Sequence, residues 1–444
     1  MSTRRRFLAL TGVAGLTAAC GRAPRLSWLL GRATPSSPLP AAPADPVAAR
    51  LAARMLGRAG YGARPGDVER VAAMGPDAWI EEQLSPASIP DLQAFLLTRR
   101  IETVHLDAPD IFDLARSTAV HDLRRAALVR AVYSERQLFE TMVEFWSNHF
   151  NVFVGKGDCA WLKVVDDRDV IRRHALGNFR DLLLASAMSP AMLVYLDGRA
   201  NVAGKPNENY AREILELHTL GVGGGYTQAD VMELARAMTG WQVRGFFERG
   251  RTVLRDTVHD PLVKQVLGLR LSSGARGDLE AVVGRLTAHP STARFLARKL
   301  CRRFVADDPS DAIVASAAEA FRRSGGGIRQ TLAALLHSDE LRNAPPRFLR
   351  PYAFAVSALR MAAARTDGGR GLQDELASMG QLPFGWPTPD GYPEGEEHWA
   401  GRMLPRWNFA LRLATNAIPG TRVETDTPPE ALALEIARPE AQYC

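Results

Sequence analysis

Apolar residues recur every three or four positions along most of the chain, and this spacing limits the fold more than any other feature. Residues 123–150, LRRAALVRAVYSERQLFETMVEFWSNHF, show the spacing clearly. It places apolar side chains on one face of an α-helix. The sequence therefore predicts a mainly α, multi-helical globular domain. The same spacing returns in residues 45–56, 65–84, 291–305, 307–327 and 328–341.

Interruptions of this pattern divide the chain. We place the helical domain at residues 46–420 and a C-terminal tail at residues 421–444. Single hydrophobic cores stop growing near about 250 to 300 residues, so one or two lobes are expected. Strand-like alternation occurs mainly near residues 245–258 and predicts a small β-hairpin. Residues 382–399, LPFGWPTPDGYPEGEEHW, are too rich in proline and glycine for a regular helix, and predict a loop that is functional or covers apolar surface.

Residues 1–20 have the features of an export signal. A hydroxyl residue, paired arginines, one variable residue and then Phe7-Leu8 match the twin-arginine pattern, although Ala9 stands where that pattern often has lysine. A short apolar run and a small-residue cleavage site follow. The run is far shorter than the roughly 20 residues of a membrane span. The sequence therefore predicts export by the twin-arginine route to the periplasm or cell envelope, with general secretion as the alternative.

Cys20 follows Leu16-Thr17-Ala18-Ala19 and resembles the lipidation site of a bacterial lipoprotein. Plain cleavage nearby and retention as an uncleaved anchor are the alternatives. Residues 21–45 are rich in Pro, Ala and Ser, which is typical of a semi-extended tether. Membrane contact is therefore expected only through a lipid on Cys20.

The net charge argues against a nucleic-acid-binding protein, and the number of cysteines argues against a disulfide-stabilised one. The formal net charge is +6, and a chain that begins at Cys20 lacks three signal arginines, which leaves 52 basic against 49 acidic residues. A net charge of +3 is too small to indicate nucleic-acid binding. If Cys20 carries a lipid, the remaining Cys159, Cys301 and Cys444 are odd in number and specify no disulfide framework. A bridge between Cys159 and Cys301 and two free thiols both remain open.

Six strings of the sequence are distinctive when taken together. They are FWSNHFNV at 145–152, NENYAREILELHTLG at 207–221, YTQADVMELARAMTGW at 226–241, LGRAGYGARPGDVERVAAMG at 56–75, HPSTARFLARKLCRRFV at 289–305 and WPTPDGYP at 386–393. Together they resemble the bacterial family catalogued as domain of unknown function 1800, over roughly residues 48–415. The resemblance implies an exported protein, and a gene that often lies beside one for an exported protein of the sulfatase or alkaline-phosphatase superfamily. It implies no particular activity.

The string at 207–221 predicts a helix that begins after Asn207 and ends at Gly221, followed by a glycine turn and a second helix. On a helical wheel, Asn209, Arg212, Glu213 and Glu216 share one face. His218 lies on the opposite, apolar face. Glu213 and His218 therefore cannot bind one metal ion from a regular helix.

The helix around residues 140–151 has the same division. Its polar face carries Glu140, Glu144, Ser147 and Asn148, whereas His149 lies among apolar side chains. A single histidine on an apolar face is usually a core residue with satisfied ring nitrogens. Two such histidines, here and at 218, suggest one buried site instead. We expect both rings to be buried, close to each other or to Glu144, Glu208 or Glu213.

These side chains define the predicted site, with His174 beside Arg172 as a further candidate. The predicted roles are catalytic for His149, His218 and Glu213, substrate-binding for Arg212, Asn148 and Asn209, and metal-binding for Glu144 and Glu216. Carboxylate and amide groups on facing helices could ligate a divalent metal or perform acid and base chemistry. If those faces meet water, they are ordinary surface charge.

Two functions follow. The first is a metal- or cofactor-dependent enzyme of the cell envelope, with a polar site between helices 140–151 and 207–219. The second is a non-catalytic assembly or tethering partner of the exported sulfatase/phosphatase-superfamily protein. A pocket with convergent Glu, His and Arg would favour the enzyme, and a large exposed apolar patch would favour the partner.

Overall fold

Helices dominate the structure, a computed structural model that describes residues 45–444. The first helix shows why they form: the Asp45 carboxylate accepts the Val47 N–H at 2.8 Å, and Pro46 occupies the first helical position. The mainly α prediction is confirmed. The first helices are α1 Pro46–Arg58, α2 Asp67–Met74, α3 Pro76–Leu84, α4 Leu92–Arg99, α5 Ala108–Ile111, α6 Arg116–Tyr133 and α7 Gln137–His149.

The remaining helices follow with short connections. The middle of the chain forms α8 Cys159–Asp166, α9 Phe179–Ala187, α10 Pro190–Tyr195, α11 Glu208–Glu213 and α12 Gln228–Ala237. The last part forms α13 Gly274–Thr287, α14 Pro290–Phe304, α15 Asp311–Arg323, α16 Ile328–Leu336, α17 Asp339–Arg342, α18 Pro351–Met361, α19 Arg370–Ser378, α20 Glu396–Trp399, α21 Met403–Ala414 and α22 Pro429–Ala437.

Two helices continue into wider π-helical turns, at Asp167–Arg172 and at Ile214–Thr219. In the second, the Leu220 N–H donates to the Leu215 carbonyl, five residues back, at 2.8 Å. The prediction of one regular helix over the string at 207–221 is therefore corrected. π-Helical turns are uncommon and are frequent at functional sites.

The strands form three two-stranded antiparallel sheets in the described chain. The predicted hairpin is confirmed, with slightly different bounds. The pairs are β1 Trp241–Val243 with β2 Thr252–Leu254, β3 Lys264–Val266 with β4 Leu269–Leu271, and β5 Arg365–Thr366 with β6 Thr421–Arg422.

Glycines allow the turn between α11 and α12 that the sequence predicts. Gly221, Gly223 and Gly225 have φ angles of 81°, 73° and 95°. Residues other than glycine rarely adopt these backbone angles. The helix beyond the turn begins with a reciprocal pair of hydrogen bonds between Thr227 and Asp230.

Residues 45–444 all lie within one compact unit. One large hydrophobic cluster contains the apolar faces of α7 and α14, and a second contains those of α18 and α21. Residues 421–444, predicted as a tail, contribute β6 and α22, and the Cys444 backbone bonds that of Arg347 in both directions. The folded unit thus extends to Cys444.

The structure bears on the predictions about the cysteines and about a membrane span, but not on those about the N-terminal segment. Cys159, Cys301 and Cys444 are free thiols, which decides against the bridge. Within residues 45–444, none of the helices has the length and apolar character needed to span a bilayer. The predicted signal, tether and lipidation site at Cys20 lie outside the described residues.

Candidate functional site

Helix α7 presents a polar face to a pocket and an apolar face to the core. Leu138 and Met142 are fully buried, while Glu144 and Ser147 remain partly accessible. The predicted division of this helix is confirmed. We call the space beside its polar face the polar pocket; its cavity volume is about 60 Å³. Its polar and aromatic lining consists of Arg130, Glu140, Glu144, Ser147, Asn148, Asn151, Asp167, Arg172, Tyr352, Gln381, Phe384 and Tyr392.

Ion pairs surround this pocket. Arg172 and Glu140 make a two-pronged pair with N–O distances of 2.5 to 2.9 Å. Asp167 lies 3.8 Å from both Arg172 and Arg130. Arg350 donates to both carboxylate oxygens of Glu144 at 2.8 Å. Every acidic side chain of the lining therefore has a basic partner.

Burial changes the ionisation of these groups. It raises the pKa of Glu140, against the opposing effect of Arg172 and Arg130. It also lowers the pKa of Arg130 to about 10, with Arg172 adding to the effect. Burial acts to lower the pKa of Arg172, but Glu140 and Asp167 outweigh it and raise that pKa. The pairs thus remain charged in a setting that penalises isolated charge.

The proline- and glycine-rich loop at 382–399 lies over the pocket because two asparagines bind its backbone. Asn148 donates to the Tyr392 carbonyl at 3.0 Å and accepts the Tyr392 N–H at 2.7 Å. Asn151 donates to the carbonyls of Trp386 and Thr388 at 3.0 and 2.7 Å. The Asn148 amide, predicted to bind substrate, is thus occupied by the loop.

His149 and His218 lie together in the core, with ring centroids 6.0 Å apart and 2% and 1% of their surface exposed. The predicted burial and proximity are confirmed. The Lys299 ammonium donates to His149 Nδ1 at 3.0 Å. Because an ammonium cannot accept, Nε2 of His149 carries the proton and donates to the His218 carbonyl at 3.1 Å. The polar partner is a lysine rather than one of the expected glutamates.

The His218 ring itself has no hydrogen-bond partner at either nitrogen among residues 45–444. Burial, followed by the nearby Lys299, lowers the pKa of His218 to about 3 and that of His149 well below its ordinary value. Burial also lowers the pKa of Lys299 to about 8. At neutral pH both rings are therefore uncharged, next to a lysine that is mostly protonated.

The polar face of α11 and its π-helical extension is separate from this pair. Arg212 lies 3.2 Å from Glu208 and 3.5 Å from Glu216. Glu216 also accepts the Tyr226 hydroxyl at 2.6 Å. Asn209 donates to the Leu196 carbonyl at 3.2 Å. These contacts match the surface-charge alternative.

Glu213 is half-buried, and burial followed by Glu216 and Asp390 raises its pKa. His174 is also half-buried, and burial lowers its pKa.

The structure therefore brings together some predicted residues and separates others. Glu144 and Asn148 line one pocket and the two histidines share a core position, but Glu144 and Glu216 have different ion-pair partners. In the described range, no group of three or more His, Cys, Asp or Glu side chains is arranged to hold a metal ion. Sequence reasoning missed Arg350 and Lys299. Lys299 is one of only five lysines in an arginine-rich chain, which is a weak signal for a special role.

The comparisons with known proteins give a family and no activity. A family model described as "Protein of unknown function (DUF1800)" matches residues 54–441. The chain belongs to this family. No curated protein and no solved structure matches it.

Four of the strings that suggested DUF1800 meet at the C-terminal end of α7. Asn148 and Asn151 of the first string hold the loop that contains WPTPDGYP. His149 of the first bonds the backbone of His218 in the second and the side chain of Lys299 in HPSTARFLARKLCRRFV. The end of α7 is thus the point in this DUF1800 fold where the loop and the helices are joined.

Proposed function

We propose that this DUF1800 protein is exported to the cell envelope, where the polar pocket binds a small uncharged, hydroxyl-rich ligand such as a saccharide. The observation that supports this most is the set of paired charges around the pocket. Buried ion pairs contribute little net stability because desolvation offsets their attraction. Their concentration around one accessible pocket is more typical of a binding site.

Charge balance supports an uncharged ligand. Arg130, Arg172 and the adjacent Arg350 carry three positive charges, and the three lining carboxylates carry three negative charges. A charged ligand would bring a charge that this paired set does not compensate. Hydroxyl groups can accept from the arginines and donate to the carboxylates without breaking a pair. Tyr352 and Tyr392 offer aromatic surface for the apolar face of a sugar ring.

Chemistry on such a ligand would fall to the two glutamates of α7. Glu140 is buried, and Arg172 favours its carboxylate form against burial, so Glu140 would accept a hydrogen bond from a ligand hydroxyl. Within residues 45–444, Glu144 accepts hydrogen bonds from Arg350 alone, which leaves part of its acceptor capacity unused. The metal ion predicted for Glu144 and Glu216 is not part of this proposal, because those side chains have separate partners.

Replacing Ser147 tests ligand binding in the polar pocket. Ser147 belongs to the pocket lining, and its buried hydroxyl has no hydrogen-bond partner in the described structure, so Ser147→Ala removes no existing bond. We expect unchanged thermal stability and about tenfold weaker ligand binding, the value of one hydrogen bond. Calorimetry would compare neutral mono- and disaccharides with an amino sugar and a sugar acid.

Ser186→Ala is the matched control, since the Ser186 hydroxyl is also buried and unpartnered but lies outside the pocket lining. It should leave binding unchanged. Equal weakening by both variants, preference for a charged sugar, or no saccharide binding at all would contradict the proposal.

A second candidate function is supported by a different surface, the groove between α21 and the C-terminal segment. Its empty volume is about 1490 Å³, and its lining includes Phe348, Met403, Trp407 and Leu434. Trp407 and Leu434 are 52% and 72% exposed. Contiguous exposed apolar surface is typical of a protein interface. We therefore also propose docking of the exported sulfatase/phosphatase-superfamily protein here.

The test is co-purification with the product of the neighbouring gene. Trp407→Ser with Leu434→Ser should weaken the complex by about thirtyfold or more, as expected for an aromatic anchor. Leu92→Ser with Phe95→Ser removes two equally exposed apolar side chains from α4 and should have no effect. A complex that survives the first pair of substitutions would exclude this groove.

A further inference from the structure

The loop of the β1–β2 hairpin carries two adjacent phenylalanines that contact water on nearly all sides. Phe246 and Phe247 are 81% and 80% exposed, and their rings meet edge to face at 5.1 Å. Every residue from 244 to 249 is exposed. We call residues 244–249 the aromatic tip. Large aromatic side chains in such a position are costly in water and usually mark a contact surface.

The aromatic tip is held in position by its base. The Arg244 N–H donates to the Arg251 carbonyl and the Gly250 N–H to the Arg244 carbonyl, both at 2.9 Å. Gly250 has a φ of 82° and is buried, and a side chain there would clash with Phe112 and Leu162. The close packing of this glycine fixes the base of the hairpin while the two phenylalanines project outward.

Basic side chains surround the phenylalanines. Residues 244–255 contain four arginines and one glutamate. Arg244 and Arg251 both lie 2.9 Å from Glu248, so one carboxylate balances two guanidinium groups. Arg249 lies over the Phe112 ring at 4.0 Å and 3.7 Å from Asp158. The rim of the aromatic tip is therefore net positive.

We infer that the aromatic tip docks on an anionic lipid surface, with Phe246 and Phe247 in the interface and the arginines at the headgroups. A projecting pair of aromatic rings inside a basic rim matches the two forces that hold peripheral proteins on membranes, apolar insertion and attraction to anionic lipids. The groove near α22 differs, because residues 429–444 contain three glutamates and one arginine. This contact is additional to any lipid on Cys20 and does not depend on a ligand in the polar pocket.

The first experiment measures binding of the full chain, carrying Cys20→Ser to remove any lipid, to vesicles of phosphatidylcholine with and without one third phosphatidylglycerol. Phe246→Ser with Phe247→Ser should reduce partitioning onto the anionic vesicles about tenfold or more, given the apolar area of two rings. Leu92→Ser with Phe95→Ser is the matched control. All variants retain residues 1–44, so the difference between the two pairs reports on the aromatic tip.

The second experiment reports on the tip directly. A Cβ atom at Gly245 would have no atom within 4 Å apart from its chain neighbours. Gly245→Cys, combined with Cys444→Ser to remove the partly accessible free thiol, therefore accepts an environment-sensitive dye at the aromatic tip. We expect a blue shift of its emission on anionic vesicles, loss of that shift in the Phe246→Ser, Phe247→Ser background, and reversal at high salt. Unchanged emission, or equal partitioning of the Phe and control variants, would overturn the inference. Capture of a protein partner that depends on Phe246 and Phe247, without vesicle binding, would also overturn the inference.

Discussion

Acidification from pH 7 to pH 4.5 is expected to lower the free energy of unfolding by roughly 3 kcal/mol through His218, with a further loss through His149. In the unfolded chain both rings bind protons near pH 6.5. In the folded protein the pKa of His218 is lowered to about 3 and that of His149 well below its usual value. The unfolded state therefore binds more protons in this window, and stability falls as the pH falls below about 6.5.

His218 accounts for about 1.4 kcal/mol per pH unit within that window, and His149 acts in the same direction. Other groups act in known directions. The lowered pKa values of His174 and His289 add to the loss as the pH falls. The raised pKa values of Glu140 and Glu213 stabilise the fold as the pH falls, and so offset part of it. Burial acts to raise the pKa of Glu394, but Arg350 and Arg347 outweigh it and lower that pKa. The contribution of Glu394 to stability is therefore lost only at lower pH. Denaturant titrations at several pH values between 7 and 4.5 measure the sum.

The variant His218→Phe separates the contribution of His218 to acid sensitivity from that of His149. Because neither His218 nitrogen has a partner in the described structure, phenylalanine removes a buried polar cost of about 1 kcal/mol or more while keeping a ring of similar shape. The variant should be at least as stable as the natural protein at pH 7 and should lose the part of the acid sensitivity that comes from His218. His149→Phe should destabilise at every pH, because it leaves Lys299 and a buried carbonyl unpaired.

A His218→Phe variant that is clearly less stable at pH 7, or that keeps the full acid response, would show that the ring nitrogens do have a partner. In that case the ring would belong to a hydrated or liganded site. The same titration thus decides between a structural and a chemical role for the pair.

Local periodicity was enough to predict the helical class, the hairpin and the two faces of α7. These features depend on neighbouring residues, and a helical wheel describes them well wherever the helix is regular. The wheel is inaccurate at Ile214–Thr219, because a π-helical turn changes the angle between successive side chains. Nothing in the local composition distinguishes that segment from an ordinary amphipathic helix.

The site was harder to predict because its partners are distant in sequence. The residue that neutralises Glu144 lies 206 positions away, and the lysine that bonds His149 lies 150 positions away. Such pairs depend on how the helices pack, which one sequence does not specify. The histidines could be predicted as neighbours because buried polar rings need partners. The actual partner of His149, Lys299, could not, and the His218 ring nitrogens have no partner within residues 45–444.

Arg350→Met is expected to lower the free energy of unfolding by about 3 kcal/mol, since removing one member of a buried pair leaves the other charge uncompensated. Arg350 is 4% exposed and pairs with both Glu144 and Glu394, at 2.8 and 3.1 Å. Methionine keeps the length of the side chain and removes the charge. Arg347 still contacts Glu394, so most of the effect should come from Glu144.

The double variant Arg350→Met with Glu144→Gln tests that assignment. Replacing both members of a buried pair by uncharged groups often costs little, so the double variant should recover most of the lost stability. Arg276→Met, which breaks an exposed pair with Glu280, should have little effect by comparison. If Arg350→Met is no more harmful than Arg276→Met, the pocket charges are solvated and do not form the balanced set from which an uncharged ligand was inferred. If the single variant is harmful and the double variant is not rescued, the cost arises from Glu394 and the loop at 382–399. Arg350 would then act mainly by holding that loop over the pocket.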